Sequence, residues 1–444
     1  MSEVLSLQEK LVKEFIRMEA MLNGQAQAPV HAIRKQAMTR FTELGFPTIR
    51  HEEWKYTNIM PVVKNDYAFN VHNTSTVTKS DIEPFLLPDV EANILVFVNG
   101  SFAADLSTII SPKGVEVMPL AEAFKKKATV VEKHFAKYAL WQNDAMLALN
   151  TAFALNGAYI EIASGAVVEE PFHLLFVNDS RAQSTFAPVR NLVLVGANAE
   201  ATIVESAHTL ASGENYGFTN IVSEVVLADN AHLNHYKVQQ DVEQSYFVGA
   251  LHAEQAGTSV LNTVVVTLSG GIVRNNLSAV LAGKGADTHF YGLYLVNGKT
   301  LVDNHTLADH AVAHCTSNEL YKGIMDDRST GVFNGKIMVR PDAQKTLAYQ
   351  SNRNILMSPN ATVNTKPQLE IFADDVKCSH GCTSGQLDDE SVFYLRARGL
   401  DKEQARALLL YAFAGEITEK IQLEPLRERL ESIIAERLHQ ELVS

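Results

Sequence analysis

Two of the chain's three cysteines flank a histidine in the stretch Cys378-Ser379-His380-Gly381-Cys382. In an extended strand the side chains of Cys378, His380 and Cys382 point to the same side. The two cysteines then lie about 13 Å apart, so one metal ion cannot bind both unless the backbone folds at Gly381. A closed structural zinc site would need four local ligands, and the sequence offers no second pair nearby. The stretch therefore predicts either buried packing residues or a metal- or sulfur-handling site completed by groups from elsewhere, including another chain.

A second group of candidate ligands lies upstream and comprises His305, His310, His314 and Cys315. Their spacing is irregular for a single ion bound by a single strand. Hydrogen-bonded structural histidines at strand corners are the favoured interpretation, and metal ligation is the alternative.

The segment Asn297-Gly298-Lys299-Thr300 resembles the end of a phosphate-binding loop. Such a loop needs a glycine five residues before the Gly-Lys pair, and that position is Leu293. The segment also lies among strands, with no helix after it. The sequence therefore predicts a strand corner here and no ATP hydrolysis by this chain.

Composition narrows the functional classes. The net charge of the 444 residues is −13, which makes a nucleic-acid partner a poor prediction. Three cysteines cannot form a disulfide framework, which favours a reducing compartment. The first 22 residues carry charges every few positions, so they predict neither a signal peptide nor a membrane span. We expect a cytoplasmic protein.

The middle of the chain must position these residues, and its texture is that of short strands. From 158 to 386, runs rich in Val, Ile, Leu, Thr and Tyr alternate with corners of Gly, Asn, Asp and Ala. Several runs are apolar on both faces, and hairpin dipeptides rarely separate them, which favours parallel stacking over hairpin sheets. The pattern predicts a parallel β-helix, and at roughly 20 or more residues per repeat it predicts on the order of ten coils.

Helical signals dominate residues 1–157 before that block. Apolar residues recur at helical spacing after Ser6, which forms a capping box with Glu9. A second helix is predicted to end at Gly45, and a polar, mixed stretch follows to about residue 140. The segment "NDAMLALNTAFALNG" predicts a helix that ends at Gly157.

Residues 387–444 predict a C-terminal helical domain. Gly399 ends one helix, and Asp401 and Gln404 cap the next. A last amphipathic helix is predicted to begin near Pro425. The predicted layout is therefore helical, then β-helical, then helical again.

Several long stretches resemble the SufB/SufD family of iron–sulfur cluster assembly proteins. "LEIFADDVKCSHGCTSGQLDDESVFYLRARGL" resembles the family's C-terminal signature, and "LVDNHTLADH" and "ALNTAFALNG" resemble further blocks. The resemblance covers most of the chain from about residue 147 to 415. "RHEEWKYTNI", from Arg50 to Ile59, is similar to the N-terminal signature of the SufD branch.

The resemblance implies a right-handed parallel β-helix between helical terminal domains, and a non-catalytic scaffold subunit without a tightly bound cofactor. It implies pairing with a SufB-like paralogue through the β-helix ends, with a homodimer also possible in the absence of that partner. It further implies a SufC-like ATPase docked on the C-terminal helical domain, around residues 393–415. The family motif there gives Phe393, Tyr394, Arg396, Arg398, Gly399 and Leu400.

Within the family motif, the residue at His380 faces the paralogue across the interface, where iron or a nascent cluster is held transiently. Cys378 also matches the motif. Cys382 does not, since the family usually has a small alanine there, and no role is assigned to it. A neutral imidazole suits iron, and a partner's thiolate is the softer ligand.

Two other functions compete with a scaffold. A β-helix carbohydrate-active enzyme would usually be secreted and would need a groove of Asp, Lys and Arg residues. A self-contained metalloenzyme would use the residues from His305 to Cys315 and would hold a stoichiometric ion.

Overall fold

The computed structural model describes residues 5–22, 28–69, 76–88, 90–110 and 113–443. The helices are α1 Leu7–Met21, α2 Pro29–Leu44, α3 Met60–Val63, α4 Lys79–Ile82, α5 Leu120–Lys126, α6 Ala128–His134, α7 Ala145–Ala152, α8 Asp389–Ala397, α9 Lys402–Thr418 and α10 Glu424–Val443. The first strands, β1 Ala68–Phe69, β2 Asn93–Val98, β3 Ser101–Phe102 and β4 Val115–Pro119, lie among the N-terminal helices.

The remaining strands form the middle of the chain without a helix between them. They are β5 Ala158–Ile162, β6 Phe172–Ser180, β7 Thr185–Val195, β8 Glu200–Ala211, β9 Gly217–Leu227, β10 His232–Gln240, β11 Ser245–Gln255, β12 Val260–Ser269, β13 Ile272–Leu281, β14 Asp287–Val296, β15 Leu301–His310, β16 Thr316–Met325, β17 Thr330–Val339, β18 Leu347–Leu356, β19 Thr362–Ile371 and β20 Lys377–Gly385.

These strands alternate between two parallel sheets, which is the topology of a β-solenoid. Sheet A runs β5, β7 and so on through the odd-numbered strands to β19, and sheet B runs β6, β8 and so on to β20. The predicted parallel β-helix is confirmed, with about eight turns instead of about ten. The count is lower because a turn takes between 26 residues (Tyr246 to Ile272) and 33 residues (Tyr159 to Leu192), more than the repeat assumed from the strand texture.

Both faces of each sheet are covered, which explains why the strands lack strict alternation of apolar and polar residues. Between the sheets, residues such as Ile203, Leu261 and Phe290 form an apolar core. Helices of the N-terminal region pack on the outer face of sheet A, and α9 and α10 pack on the outer face of sheet B. Lys322 and Tyr236 lie on that second outer face.

The predicted capping signals are confirmed in the structure. Ser6 and Glu9 form a reciprocal capping box at α1, and Asp401 and Gln404 form another at α9. The second helix ends at Leu44 with Gly45 as its C-cap, as expected. Because these contacts join residues three positions apart, they are encoded locally.

Two boundaries differ from the sequence prediction. The helix expected to reach Gly157 ends at Ala152, because Arg34 donates to the Ala154 carbonyl at 2.7–3.0 Å and Arg190 N–H donates to the Asn156 carbonyl at 2.9 Å. These tertiary bonds replace further helical ones. The polar stretch before residue 140 also contains β2, which pairs in parallel with β6 and extends sheet B.

Candidate functional site

Strand β20 carries the cysteine–histidine stretch and is the last strand of sheet B. Its hydrogen-bonded neighbour is β18, and within the described residues no strand pairs with its other side. Lys377 N–H donates to Thr346 O at 2.9 Å, toward β18. Since alternate residues of a parallel strand bond to opposite neighbours, the backbone groups of Cys378, His380 and Cys382 face the unpaired side. The edge therefore offers hydrogen-bonding groups to a further strand.

His380 lies on this edge with its side chain exposed. In the sheet register it pairs with Gln350 of β18, which pairs with Glu319 of β16, which pairs with Phe290 of β14. Phe290 belongs to the core between the sheets, and in-register residues share a face. His380 is thus the outermost member of a column that faces the space between the sheets, and no further turn covers it.

Glu319 and Gln350 form a buried polar network just inside that opening. Thr306 Oγ1 donates to Glu319 Oε2 at 2.7 Å, and Gln350 Nε2 donates to the same oxygen at 3.1 Å. Glu319 Oε1 and Gln350 Oε1 have no hydrogen-bond partner among the described residues. A side chain at Gly335 would collide with the Gln350 amide, so this glycine makes room for the network.

The charge of Glu319 is not compensated by a neighbouring cation. Burial raises the pKa of its carboxyl to about 7, although the hydrogen bonds from Thr306 and Gln350 oppose the rise. By contrast, Glu205 on β8 lies 3.1 Å from Lys237 Nζ and 3.4 Å from His235 Nε2. Burial would raise the pKa of Glu205 too, but the two cations outweigh burial and lower it. The two buried carboxyls therefore favour opposite protonation states near neutral pH.

The two cysteines of the stretch lie in different surroundings. Cys378 is half-buried against the apolar core, and burial raises the pKa of its thiol. A raised pKa leaves little thiolate, which is the metal-binding and nucleophilic form. Cys382 is exposed, and its Sγ lies 2.8 Å from Thr365 Oγ1 of β19. Within the described residues no three His, Cys, Asp or Glu side chains are placed to hold a metal ion.

The upstream histidines are separated rather than gathered. His305 faces the N-terminal region, 3.3 Å from Glu53 Oε2 and 2.9 Å from Asp303 Oδ1. His310 is buried, 2.8 Å from Ser317 Oγ, and burial lowers its pKa to about 4. His314 and Cys315 are described next.

His314 lies at a strand corner with a φ of 65°, and its N–H donates to Gln344 O at 2.9 Å. Cys315 is buried, with Sγ 3.3 Å from Gly283 O. The structural interpretation of the cluster from His305 to Cys315 is therefore confirmed. The corner predicted at Asn297–Thr300 also joins β14 to β15.

The residues expected to dock an ATPase lie on α8 and the turn after it. Phe393 and Tyr394 leave 72% and 58% of their surfaces exposed, high values for aromatic side chains in a folded chain. Arg398 Nη2 donates to Tyr394 Oη at 3.0 Å, and Arg396 is exposed. Gly399 has a φ of 100°, a backbone conformation suited to the predicted helix end, and Leu400 is half-buried.

Sequence reasoning missed Glu319, Gln350 and the buried lysine Lys322. Lys322 Nζ donates to Phe413 O at 2.9 Å and lies 2.8 Å from Glu416 Oε1. Each contact joins positions 13 to 94 residues apart, so no local spacing marks it. The register of the turns, about 30 residues per step, is the signal that would have aligned Glu319 and Gln350 with His380.

Among the described residues, no helix is long and apolar enough to cross a membrane.

Family models match nearly the whole chain. The model described as "SUF system FeS cluster assembly, SufBD core domain" matches residues 176–413, and the model described as "SufBD protein N-terminal region" matches residues 5–174. The boundary between them lies within β6. The cysteine–histidine strand falls inside the core-domain match.

Individual relatives agree with these models. An iron–sulfur cluster assembly SufBD family protein of Synechocystis is 32% identical over 95% of this chain and 94% of its own length. The iron–sulfur cluster assembly protein SufD of Escherichia coli is 30% identical over 91% of this chain and 92% of its own. SufD of Bacillus subtilis is 24% identical over 98% of both chains.

Proposed function

This chain belongs to the SufBD family of iron–sulfur cluster assembly proteins and is SufD-like, and from that membership we propose that it is a non-catalytic scaffold subunit. In this proposal the open end of the solenoid pairs with a SufB-like paralogue, and the two chains share one transient cluster site. The observation that carries the proposal is His380, exposed on the unpaired edge of the last strand.

The unpaired edge accounts for the choice of partner. A strand edge with free backbone donors and acceptors is stabilised by a strand from another chain. A paralogue with the same solenoid cross-section would continue both sheets at once, β20 of sheet B and β19 of sheet A. Such pairing would bring a group of the paralogue opposite His380.

Incomplete ligation suits a scaffold. An imidazole is a good ligand for iron, and a thiolate from the partner would accept sulfur. Neither chain alone would complete the four ligands of a stable cluster, so the product could be transferred to an acceptor protein. Cys378 lies on the same strand as His380, but its half-buried thiol with a raised pKa makes it a packing neighbour rather than the first ligand.

A SufC-like ATPase would dock on α8 and α9. The exposed Phe393 and Tyr394 provide the rigid aromatic surface that anchors many interfaces, and Arg398 beside Tyr394 provides polar contacts at the rim. Nucleotide binding by that ATPase would shift the shared site between conformations. The membership leaves the carbohydrate-enzyme alternative without support.

The decisive variant is His380→Ala, tested in the complex with a SufB-like and a SufC-like partner. The expected result is an intact complex whose rate of cluster formation from ferrous ion and sulfide falls by about tenfold, since a ligand has been lost. The visible absorption of the cluster measures the rate. His232→Ala is the matched control, because His232 is a partly exposed histidine of sheet B at the start of β10. An unchanged rate in His380→Ala would refute the role of this residue.

A further inference from the structure

Helix α9 is attached to sheet B by a buried lysine. Lys322 of β16 has a fully buried side chain, its Nζ donates to the Phe413 carbonyl at 2.9 Å, and it lies 2.8 Å from Glu416 Oε1. Nζ also lies 4.2 Å from the centre of the Phe413 ring, within the range of a cation–π contact. One ammonium group therefore contacts the backbone, a ring and a carboxylate of the same helix.

The other oxygen of Glu416 reaches the next strand. Glu416 Oε2 lies 3.6 Å from Arg353 Nη1 on β18. Lys322 and Arg353 are neighbours in the register of β16 and β18. One carboxylate of α9 thus bridges two successive strands of the sheet.

The bridged strands lead directly to the cluster-site edge. Arg353 is in register with Thr383 of β20, three residues from His380. Asn354 Nδ2 also donates to Thr383 O at 3.5 Å. The path from α9 to β20 is therefore one ion-pair bridge and one strand pairing long.

Stability alone does not explain a lysine at position 322. Burial lowers the pKa of Lys322, and the nearby Glu416 only opposes that effect. Buried ion pairs are often replaced by apolar residues of similar size without loss of stability. Leucine, isoleucine and valine side chains already surround this contact between α9 and the sheet.

We propose that Lys322 and Glu416 are positioning residues that transmit movement of the ATPase-docking helices to strand β20, and so set the position of His380 at the shared cluster site. This inference rests on the proposed function. The docking surface lies on α8 and α9, and Glu416 lies near the end of α9. A rigid shift of α9 would pull β16 and β18 together, because Glu416 holds both.

A ligand can shift a conformational equilibrium only through contacts that differ between the two states. The Lys322–Glu416–Arg353 bridge is a contact of that kind, since it forms only when α9 is seated at one height along the sheet. Without the bridge, the ATPase could still dock and turn over, but its movement would no longer reach the edge strand.

The test measures cluster formation by the full complex with and without ATP. In Lys322→Met we expect complex assembly and ATP hydrolysis to remain at wild-type rates, while the stimulation of cluster formation by ATP falls to about onefold, from a wild-type value within the about 5–150-fold of typical couplings. Glu416→Gln, at a half-exposed position, should give the same loss and decides the matter if Lys322→Met does not fold.

The matched control is Lys336→Met. Lys336 pairs with Glu370 at 2.8 Å between β17 and β19 of sheet A, where neither C-terminal helix is involved. Its ATP stimulation should equal that of the wild type. Wild-type stimulation in both Lys322→Met and Glu416→Gln would overturn the inference and leave the scaffold function standing. A wild-type complex indifferent to ATP would overturn the inference and the nucleotide-driven step together, whereas His380→Ala tests the cluster site independently.

Discussion

The two ends of the solenoid are built differently. At the N-terminal end the sheets finish in antiparallel pairs, β4 with β5 and β3 with β2. The space between the sheets there is filled by apolar side chains such as Phe97, Leu174 and Phe176. At the C-terminal end β19 and β20 have no further strand, and the column between the sheets ends in Glu319, Gln350 and His380.

Charge compensation follows the same division. In the N-terminal half, the fully buried Arg190 lies 2.8 Å from Glu224, which also accepts N–H donors from Ala136, Tyr138 and Ala139 at 2.7–3.0 Å. Near the C-terminal end, Glu319 has two neutral donors and no cation. The comparison suggests that the first end is built for stability, and that the second leaves polar groups available for a partner.

The largest effect should come from breaking compensation at the stable end. Arg190→Met leaves Glu224 buried without its cation, and we expect a loss of about 3–5 kcal/mol in the free energy of unfolding. Chemical denaturation of the purified chain measures it. Arg340→Met is the control, because Arg340 pairs with Asp309 at 2.7 Å but is half-exposed, and its loss should cost at most about 1 kcal/mol. Equal losses in the two variants would contradict the comparison.

A smaller, pH-dependent effect should come from Glu319→Gln. The pKa of Glu319 is raised from 4.5 to about 7 in the folded state, so ionisation favours the unfolded state as pH rises through this interval. Wild-type stability should therefore fall between pH 4.5 and about pH 8 by up to about 3 kcal/mol relative to Glu319→Gln, which does not ionise. Denaturation curves at both pH values measure the difference.

Glu205→Gln should show the opposite sign. The folded-state pKa of Glu205 is lowered, so this carboxylate stabilises the fold above its unfolded pKa and loses that contribution as pH falls. The variant should be less stable than the wild type at neutral pH, with the deficit shrinking in acid. A pH-independent difference for Glu319→Gln would show that its carboxyl is solvated or paired.

The smallest effect should come from His380→Ala in the isolated chain. Its exposed ring has no neighbouring turn to pack against, so the free energy of unfolding should change by no more than about 0.5 kcal/mol. Thermal denaturation checks this expectation. A loss above about 1 kcal/mol would show that the ring packs inside the solenoid.

Much of the fold could be predicted because its signals are local. The capping boxes at Ser6 and Asp401 and the stop at Gly45 involve residues a few positions apart, and each is confirmed. The parallel stack followed from strands apolar on both faces and from missing hairpin turns. The turn count and β2 could not be predicted in the same way, because strand pairing depends on residues up to 33 positions apart in the repeats, and about 79 in the pairing of β2 with β6.

The candidate site was predictable only in part. His380 was recognised from its motif, and its place on the last strand agrees with that expectation. Glu319, Gln350 and Lys322 are ordinary residues in the sequence, and only the register of the turns places two of them next to His380. Their burial, which decides their chemistry, depends on packing between distant segments.

The antiparallel strands at the N-terminal end also limit how large an assembly can grow. Strand addition end to end would polymerise a solenoid into a filament if both ends offered matching parallel edges. Here one end presents β3, of two residues, and β4, of five, in the reversed direction. Two chains that meet through their long free edges leave only these mismatched edges outside, so growth stops at a pair.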